Sequence, residues 1–273
     1  MEFSVLMSVY HKEKPEYLAE SLESVLQQTC KPSEIVLVKD GPLTEELDSV
    51  LGKFDVENPG LFHFVPLEKN VGLGKALSIG IQQCSNELVA RMDTDDIAVT
   101  DRFERQVEEF KRYPQLDICG SHIKEFEEDI KHPTGARKVP IEDADIKEYQ
   151  KRRDAFNHMT VMYKKSTVLK AGNYQHALLM EDSLLWVNMI MAGAKCKNID
   201  DYLVFARADS SMIERRGGFS YFMKYRQGRK CIKKTGYISA FDYYYTLLVQ
   251  LVVALTPSEI RRGIFRYLLR SRV

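Results

Sequence analysis

The sequence predicts an α/β fold built on a doubly wound, mostly parallel sheet, and two observations carry that prediction. Through the first hundred residues, short apolar runs of strand length alternate with stretches of helical periodicity, the pattern of repeated βαβ units. Polar and turn-forming residues follow each apolar run directly. They therefore gather at the carboxyl ends of the strands, where open sheets of this kind bind ligands.

The first apolar run, Phe3 to Val9, reads as a strand, followed by a polar loop from Tyr10 to Pro15 and a helical pattern through Tyr17, Leu18, Leu22, Val25 and Leu26. Lys31-Pro32-Ser33 breaks that helix. Glu34 to Val38 is the second strand, ending at the turn-forming Lys39-Asp40-Gly41-Pro42. A helix from Leu43 to Phe54, a strand at Phe62 to Val65, the loop Asn70-Val71-Gly72-Leu73-Gly74 and a helix from Lys75 to Cys84 repeat the unit. Glu87 to Met92 is a fourth strand running into Asp93. Beyond it the spacing predicts a helix over Asp101 to Arg112, strands near Leu116 to His122 and at Phe156 to Tyr163, a helix opening at Glu181-Asp182, and a closing strand at Leu203 to Ala206. No internal repeat or low-complexity segment interrupts this order. The expected division is a domain over residues 1–210 and a basic helical extension over 211–273.

A chain of 273 residues, 44% hydrophobic and 29% charged, has the profile of a folded globular protein. Its formal charge is zero but unevenly spread. Tyr202 to Val273 holds 14 Lys and Arg against 4 Asp and Glu, a net of +10 that the first 201 residues balance. Such a tail meets nucleic acid or an anionic membrane. Its aromatics, Tyr243 to Tyr245, are consecutive and adjoin an apolar run instead of interleaving with basic residues, which argues against a nucleic-acid stacking platform. Tyr243 to Leu255 falls short of the roughly 20 residues that span a bilayer. Ile260, Ile264, Phe265, Leu268 and Leu269, interspersed with arginines, suit a helix lying on an anionic membrane surface or packed on its own domain. The five cysteines are scattered and odd in number, so neither a disulfide framework nor a zinc site is expected. The amino end shows no basic region or cleavage site of a signal peptide. A cytoplasmic protein, peripheral on the inner face of the membrane, is the expectation.

The strongest chemical signal is Asp93-Thr94-Asp95-Asp96. Three carboxylates within four residues, directly after a buried strand, repel one another unless a cation neutralises them. Hard oxygen ligands suit Mn²⁺ or Mg²⁺, which also bind diphosphate oxygens and stabilise a departing diphosphate. One of the three, Asp96 before the others, is equally suited to capping the next helix.

Five segments then occur in a familiar order: Val5 to Tyr10, Val36 to Pro42, Asn70 to Leu77, Arg91 to Asp96 and Met180-Glu181-Asp182. Together they resemble the signature of the bacterial family-two inverting glycosyltransferases of the GT-A fold, in particular those of amylovoran, capsule and O-antigen assembly, over roughly residues 3–210. The resemblance implies a UDP-sugar donor and a glycan acceptor carried on a lipid. It places Ser8 and Tyr10 in the nucleoside pocket, Asp40 at the uracil edge, and Asn70, Gly72 and Lys75 near the nucleotide. Arg91 and Asp93 would hold the ribose and donor sugar, Asp95 the metal, and Asp182 would be the catalytic base with Glu181 beside it. Many members carry Asp-Asp-Gly where this chain has Lys39-Asp40-Gly41, which puts the role of the first position in doubt. His158, polar in an apolar segment, is an acceptor-side or metal-side candidate or a satisfied core histidine. Arg215-Arg216-Gly217-Gly218 is either a basic loop closing on the diphosphate or a solvated one. A metal-dependent nucleotidyltransferase is the rival enzyme class, but the loop after the first strand, Tyr10 to Pro15, lacks the glycines its phosphate loop requires.

Overall fold

The computed structural model describes residues 1–208, 217–257 and Arg261. The chain opens with β1 (Phe3–Val9), α1 (Pro15–Leu26), β2 (Glu34–Lys39), α2 (Glu45–Glu57), β3 (Phe62–Pro66), α3 (Leu73–Gln83) and β4 (Leu88–Arg91). Pro15 starts α1, where its missing N–H costs no hydrogen bond, and Thr44 caps α2 by accepting the Leu47 amide at 3.3 Å. Strands β1 to β4 are parallel in the order β3-β2-β1-β4. Alternate residues of β1 serve opposite faces: Phe3, Val5, Met7 and Val9 pack with α1 and α2, and Leu6 with α3. Both faces are covered, so the strands are apolar throughout, as a parallel sheet requires.

The second half adds β5 (Ile97–Ala98), α4 (Arg102–Arg112), β6 (Ile118–Phe126), β7 (Gly135–Arg137), α5 (Asp143–Gln150), β8 (Met162–Lys164), α6 (Lys165–Lys170), α7 (Glu181–Met191) and β9 (Cys196–Arg207). The sheet continues β4-β8-β6-β9-β5, with β7 beside β6. Here β8 is antiparallel to both its neighbours, β6 and β9 are parallel, and β5 and β7 are antiparallel additions. The expected mostly parallel sheet is present, with these antiparallel insertions.

Two elements differ from expectation. Phe156 to Tyr163 is not one strand: a 3₁₀ turn occupies His158–Thr160 and β8 starts only at Met162. The Thr160 amide and hydroxyl both bond to the Asn157 carbonyl, at 2.9 and 2.8 Å, and this local pairing outcompetes the ladder. The closing strand extends back from Leu203 to Cys196 as the long partner of β6, with a register shift around His122. Its polar stretch, Lys197 to Tyr202, hides it from an apolar-run search.

Two further helices follow, α8 (Gly218–Lys234) and α9 (Ala240–Leu255); α8 packs on α7 through a smaller core of Ala177, Met180, Leu184, Val187, Ile232 and Ile238, and on α9 through Phe222, Leu247 and Ala254. Gly228 lets α8 lie against the loop before α7: a Cβ there would come within 2.6 Å of the Ala177 and Leu178 carbonyl oxygens. The expected boundary at residue 210, the Arg215-Arg216 pair and the arginine-rich end of the tail, apart from Arg261, lie outside the described residues. Among the described residues, no helix is long and apolar enough to cross a membrane.

Candidate active site

The carboxyl ends of β1 to β4 form one edge, and the loops leaving them are tied together by side chains. Asp40, 3% exposed at the end of β2, accepts the amides of Val71 at 2.7 Å and Gly72 at 3.1 Å, one on each oxygen. Asn70 returns a bond of 3.3 Å from its side-chain amide to the Asp40 carbonyl. Gly41, at φ +89, allows the approach, because a Cβ there would meet the Asn70 nitrogen at 2.7 Å. Asp40 is thus the buckle of the loop that carries Asn70 and Gly72, a role the sequence does not announce. Tyr10 and Lys75 are exposed along the same edge, and Ser8 is half-buried.

Directly beyond β4, Asp93, Asp95 and Asp96 place one carboxylate oxygen each within 4.8 Å of the others. Burial first, then repulsion from Asp93 and Glu13, pushes the Asp95 carboxyl up to about 7. Asp96 is raised as well, by burial and by its two neighbours, and its Oδ2 has no partner. An acidic cluster with an unsatisfied buried oxygen fits a hard divalent cation. Asp96 does not cap the following helix: it is buried, and its Oδ1 accepts the Arg207 amide at 2.8 Å. Thr94 turns away from the cluster, donating to Glu13 Oε2 at 2.8 Å. Arg207 steadies the loop from the end of β9. It donates to the Asp95 carbonyl at 3.1 Å and to Glu20, and stacks 3.7 Å from the centre of the Tyr17 ring.

Behind the cluster lies Arg91, 1% exposed and hydrogen-bonded to Asp93. Burial works against its charge, but the Asp93 carboxylate outweighs that and raises its pKa. Its Nε and Nη1 have no partner, so two buried donors are unspent. His158 is depressed by burial and by Arg91, which keeps it neutral, and its Nε2 bonds to the Tyr174 hydroxyl at 2.9 Å. It sits edge-on to Trp186, so the histidine is held in a satisfied aromatic cluster flanking Arg91. Tyr174, which the sequence does not single out, lies within electrostatic reach of Arg91, Asp182 and Asp93.

Glu181 and Asp182 open α7. A Cβ on Gly74 would meet the Glu181 Cγ at 2.7 Å, so the start of α7 is pressed against the start of α3 and the loop before it. Burial, then repulsion from Asp154, pushes the Asp182 carboxyl up to about 7, although its Oδ1 accepts the Ser183 amide at 2.8 Å. The five sequence segments therefore converge on one edge of the sheet. Glu13, Tyr174 and Arg207 join them without a sequence signal, because each reaches the site through the packing of its own element.

The family model described as glycosyl transferase family 2 matches residues 4–169. The chain belongs to this family. Over its whole length, this family 2 glycosyltransferase is 39% identical across 267 residues to the amylovoran biosynthesis glycosyltransferase AmsE of Erwinia amylovora, covering 96% of this chain and 97% of that one. It is 34% identical across 269 residues to the UDP-Gal:alpha-D-GlcNAc-diphosphoundecaprenol beta-1,3-galactosyltransferase of Escherichia coli, covering 98% and 97%. Two solved glycosyltransferase structures share its fold. S. aureus TarS 1-349 in complex with UDP-GlcNAc aligns at a TM-score of 0.62 and 17% identity, covering 97% of this chain and 70% of that chain. The mannosyltransferase PcManGT from Pyrobaculum calidifontis, in complex with GDP-Man and Mn²⁺, aligns at 0.62 and 14%, covering 96% and 78%. The GT-A architecture expected from the sequence is therefore the one observed.

Proposed function

We propose that this glycosyltransferase is metal-dependent and inverting, and that it moves one sugar from a UDP-sugar to a lipid-linked glycan in bacterial surface polysaccharide assembly, working from the cytoplasmic side of the membrane. The observation that carries the reading is the pressing of α7, with Asp182 at its start, against the loop that Asp40 buckles beside the Asp93–Asp96 cluster. A donor-side acid cluster and a candidate base then share one edge.

Asp95, with Asp93 and Asp96, would hold Mn²⁺ or Mg²⁺, which as a Lewis acid stabilises the charge of a leaving diphosphate. Arg91 orients Asp93 and offers two unspent donors to donor hydroxyls. Ser8, Tyr10, Asn70, Gly72 and Lys75 line the nucleoside and phosphate side, and Asp40 holds the Asn70 to Gly72 loop in place. Asp182, poised near neutrality, takes the proton from the acceptor hydroxyl as that oxygen attacks the anomeric carbon opposite the diphosphate, inverting its configuration. Glu181 borders the acceptor side, and His158, bonded to Tyr174 and packed on Trp186, supports the wall behind Arg91.

The Escherichia coli relative, named for UDP-Gal and a diphosphoundecaprenol acceptor, supports the donor and acceptor classes, and the TarS complex supports UDP. The Mn²⁺ in the PcManGT complex supports the metal. Calorimetric titration with UDP, with and without Mn²⁺, is the test. Binding that is strengthened by the metal is expected; equal binding under both conditions overturns the metal dependence, and absent binding under both removes the UDP donor.

A further inference from the structure

Helix α9 is oriented the opposite way from an ordinary surface helix. Its one charged residue, Asp242, is buried against the rest of the chain, accepting Arg152 at 2.7 Å and the Ser239 hydroxyl at 2.6 Å. Thr246, also buried, accepts Arg229 at 3.1 Å. Outward, Phe241, Tyr244, Tyr245, Leu248, Val252 and Leu255 recur at steps of three and four residues, each between 46% and 68% exposed. Single exposed apolar residues are ordinary, but a stripe along 16 residues, about 24 Å of helix, is not.

We infer that this face of α9 lies in the interfacial layer of an anionic phospholipid bilayer and fixes the transferase on the membrane that carries its acceptor. That the same membrane carries the acceptor rests on the lipid-linked acceptor proposed above.

Charge selects the occupant. Helix α8, packed on α9, exposes Lys224, Arg226, Lys230 and Lys234 and contains no acidic residue. The sequence after α9 continues with five arginines against one glutamate from Ser258 to Val273. Pairing two copies through α9 would bring these cations together, whereas anionic headgroups neutralise them. Side-chain chemistry agrees. The aromatics Phe241, Tyr244 and Tyr245 cluster at one end of the stripe, and the Arg152 guanidinium stacks over two of them at 5.5 and 5.3 Å. Amphipathic rings with a cation beside them suit the headgroup level, and the aliphatic residues beyond suit the acyl boundary. At 16 residues the helix is too short to span, so it lies flat.

The placement also has a functional consequence. Through Gly228, α8 lies on the backbone of Ala177 and Leu178, five and four residues before Asp182. A hairpin seated on lipid therefore holds the candidate base in a fixed relation to the bilayer. A lipid-linked acceptor would then reach the acceptor side without leaving the membrane.

The test is flotation of the full chain with vesicles of phosphatidylcholine alone and of phosphatidylcholine with about 30% phosphatidylglycerol. The protein is expected to float with the anionic vesicles, and the double variant Leu248→Ser/Val252→Ser to bind them about tenfold less, with UDP-sugar hydrolysis unchanged. Failure of the parent protein to float, or equal flotation of the variant, overturns the proposal. So does light scattering that shows a dimer which the variant dissociates, since α9 would then be a self-interface. A second variant, Leu248→Trp, guards against misfolding. Its added emission should shift to the blue when anionic vesicles are mixed in, while the buried Trp186 contributes a constant background. Emission already blue before vesicles are added means that another part of the chain covers the face, and that also overturns the proposal. Metal-dependent UDP binding, measured on the same preparations, tests the transferase reading separately, because its loss would leave the flotation result standing.

Discussion

Replacing Asp182 by Asn should lower activity and raise stability together, a combination that separates a catalytic base from a helix-start residue. The folded protein holds this carboxyl at about 7, well above the 3.8 of an unperturbed aspartate, through burial and the nearby Asp154. A carboxyl raised on folding favours the fold in its protonated form. Its stability contribution is complete below about pH 4 and is lost as pH climbs to about 7. A shift of about three units corresponds to a ceiling of about 4 kcal/mol. Water reaches the partly exposed side chain and the amide must re-form its bond to Ser183, so a gain of about 1–2 kcal/mol at pH 8 is the realistic figure. In a chain of this size, each kcal/mol raises the melting temperature by about 2–4 °C. The gain should vanish near pH 4. Turnover, followed by release of UDP in the presence of acceptor, should fall about 100- to 10,000-fold, the range of general base catalysis. Unchanged turnover in a folded variant would remove Asp182 from the chemistry. A lower melting temperature at pH 8 would show instead that its bond at the start of α7 dominates.

In the parent enzyme, kcat/KM should fall about tenfold per pH unit below about pH 7, and Asp182→Glu should displace that limb without abolishing it. Asp95→Asn removes repulsion from the cluster, so the metal-free protein should melt higher while the stabilisation by Mn²⁺ plus UDP disappears; calorimetry and thermal melts read both. Asp40→Ala leaves the Val71 and Gly72 amides without their acceptor, which should cost about 1–3 kcal/mol and speed hydrogen exchange at those two positions. Arg207→Ala, which frees the Asp95 carbonyl and the Tyr17 ring, should weaken Mn²⁺-dependent UDP binding about tenfold, with partial recovery in Arg207→Lys.

Most of the fold and much of the site were legible because they depend on local order. Short apolar runs and period-3.6 patterns mark β1 to α3, and residues at and just beyond the carboxyl end of a parallel strand lie at the edge where such sheets bind ligands, so Ser8, Asp40 and Asp93 are placed by chain position alone. The strand expected over Phe156 to Tyr163 shows where this fails. Its apolar content is right, but Thr160 and Asn157 close a turn whose bonds compete locally with the ladder. The long β9 is hidden for the opposite reason, since Lys197, Asn198 and Tyr202 are polar yet paired with β6.

What the sequence by itself determined is the alternating α/β order, the acidic cluster after β4 and the family to which those segments belong. The tertiary structure decided how the residues divide the work. It turned Asp40 inward to buckle the Asn70 to Gly72 loop, kept Asp96 in the cluster instead of at a helix cap, and brought Arg207, more than a hundred residues away, onto the Asp95 carbonyl. It also turned the apolar stripe of α9 outward, although hydrophobic periodicity shows only that a stripe exists. Which face is buried depends on what else packs there, and here Arg152 and Arg229 claim the polar side. Burial and partnership are properties of the packed chain, because each depends on elements distant in sequence.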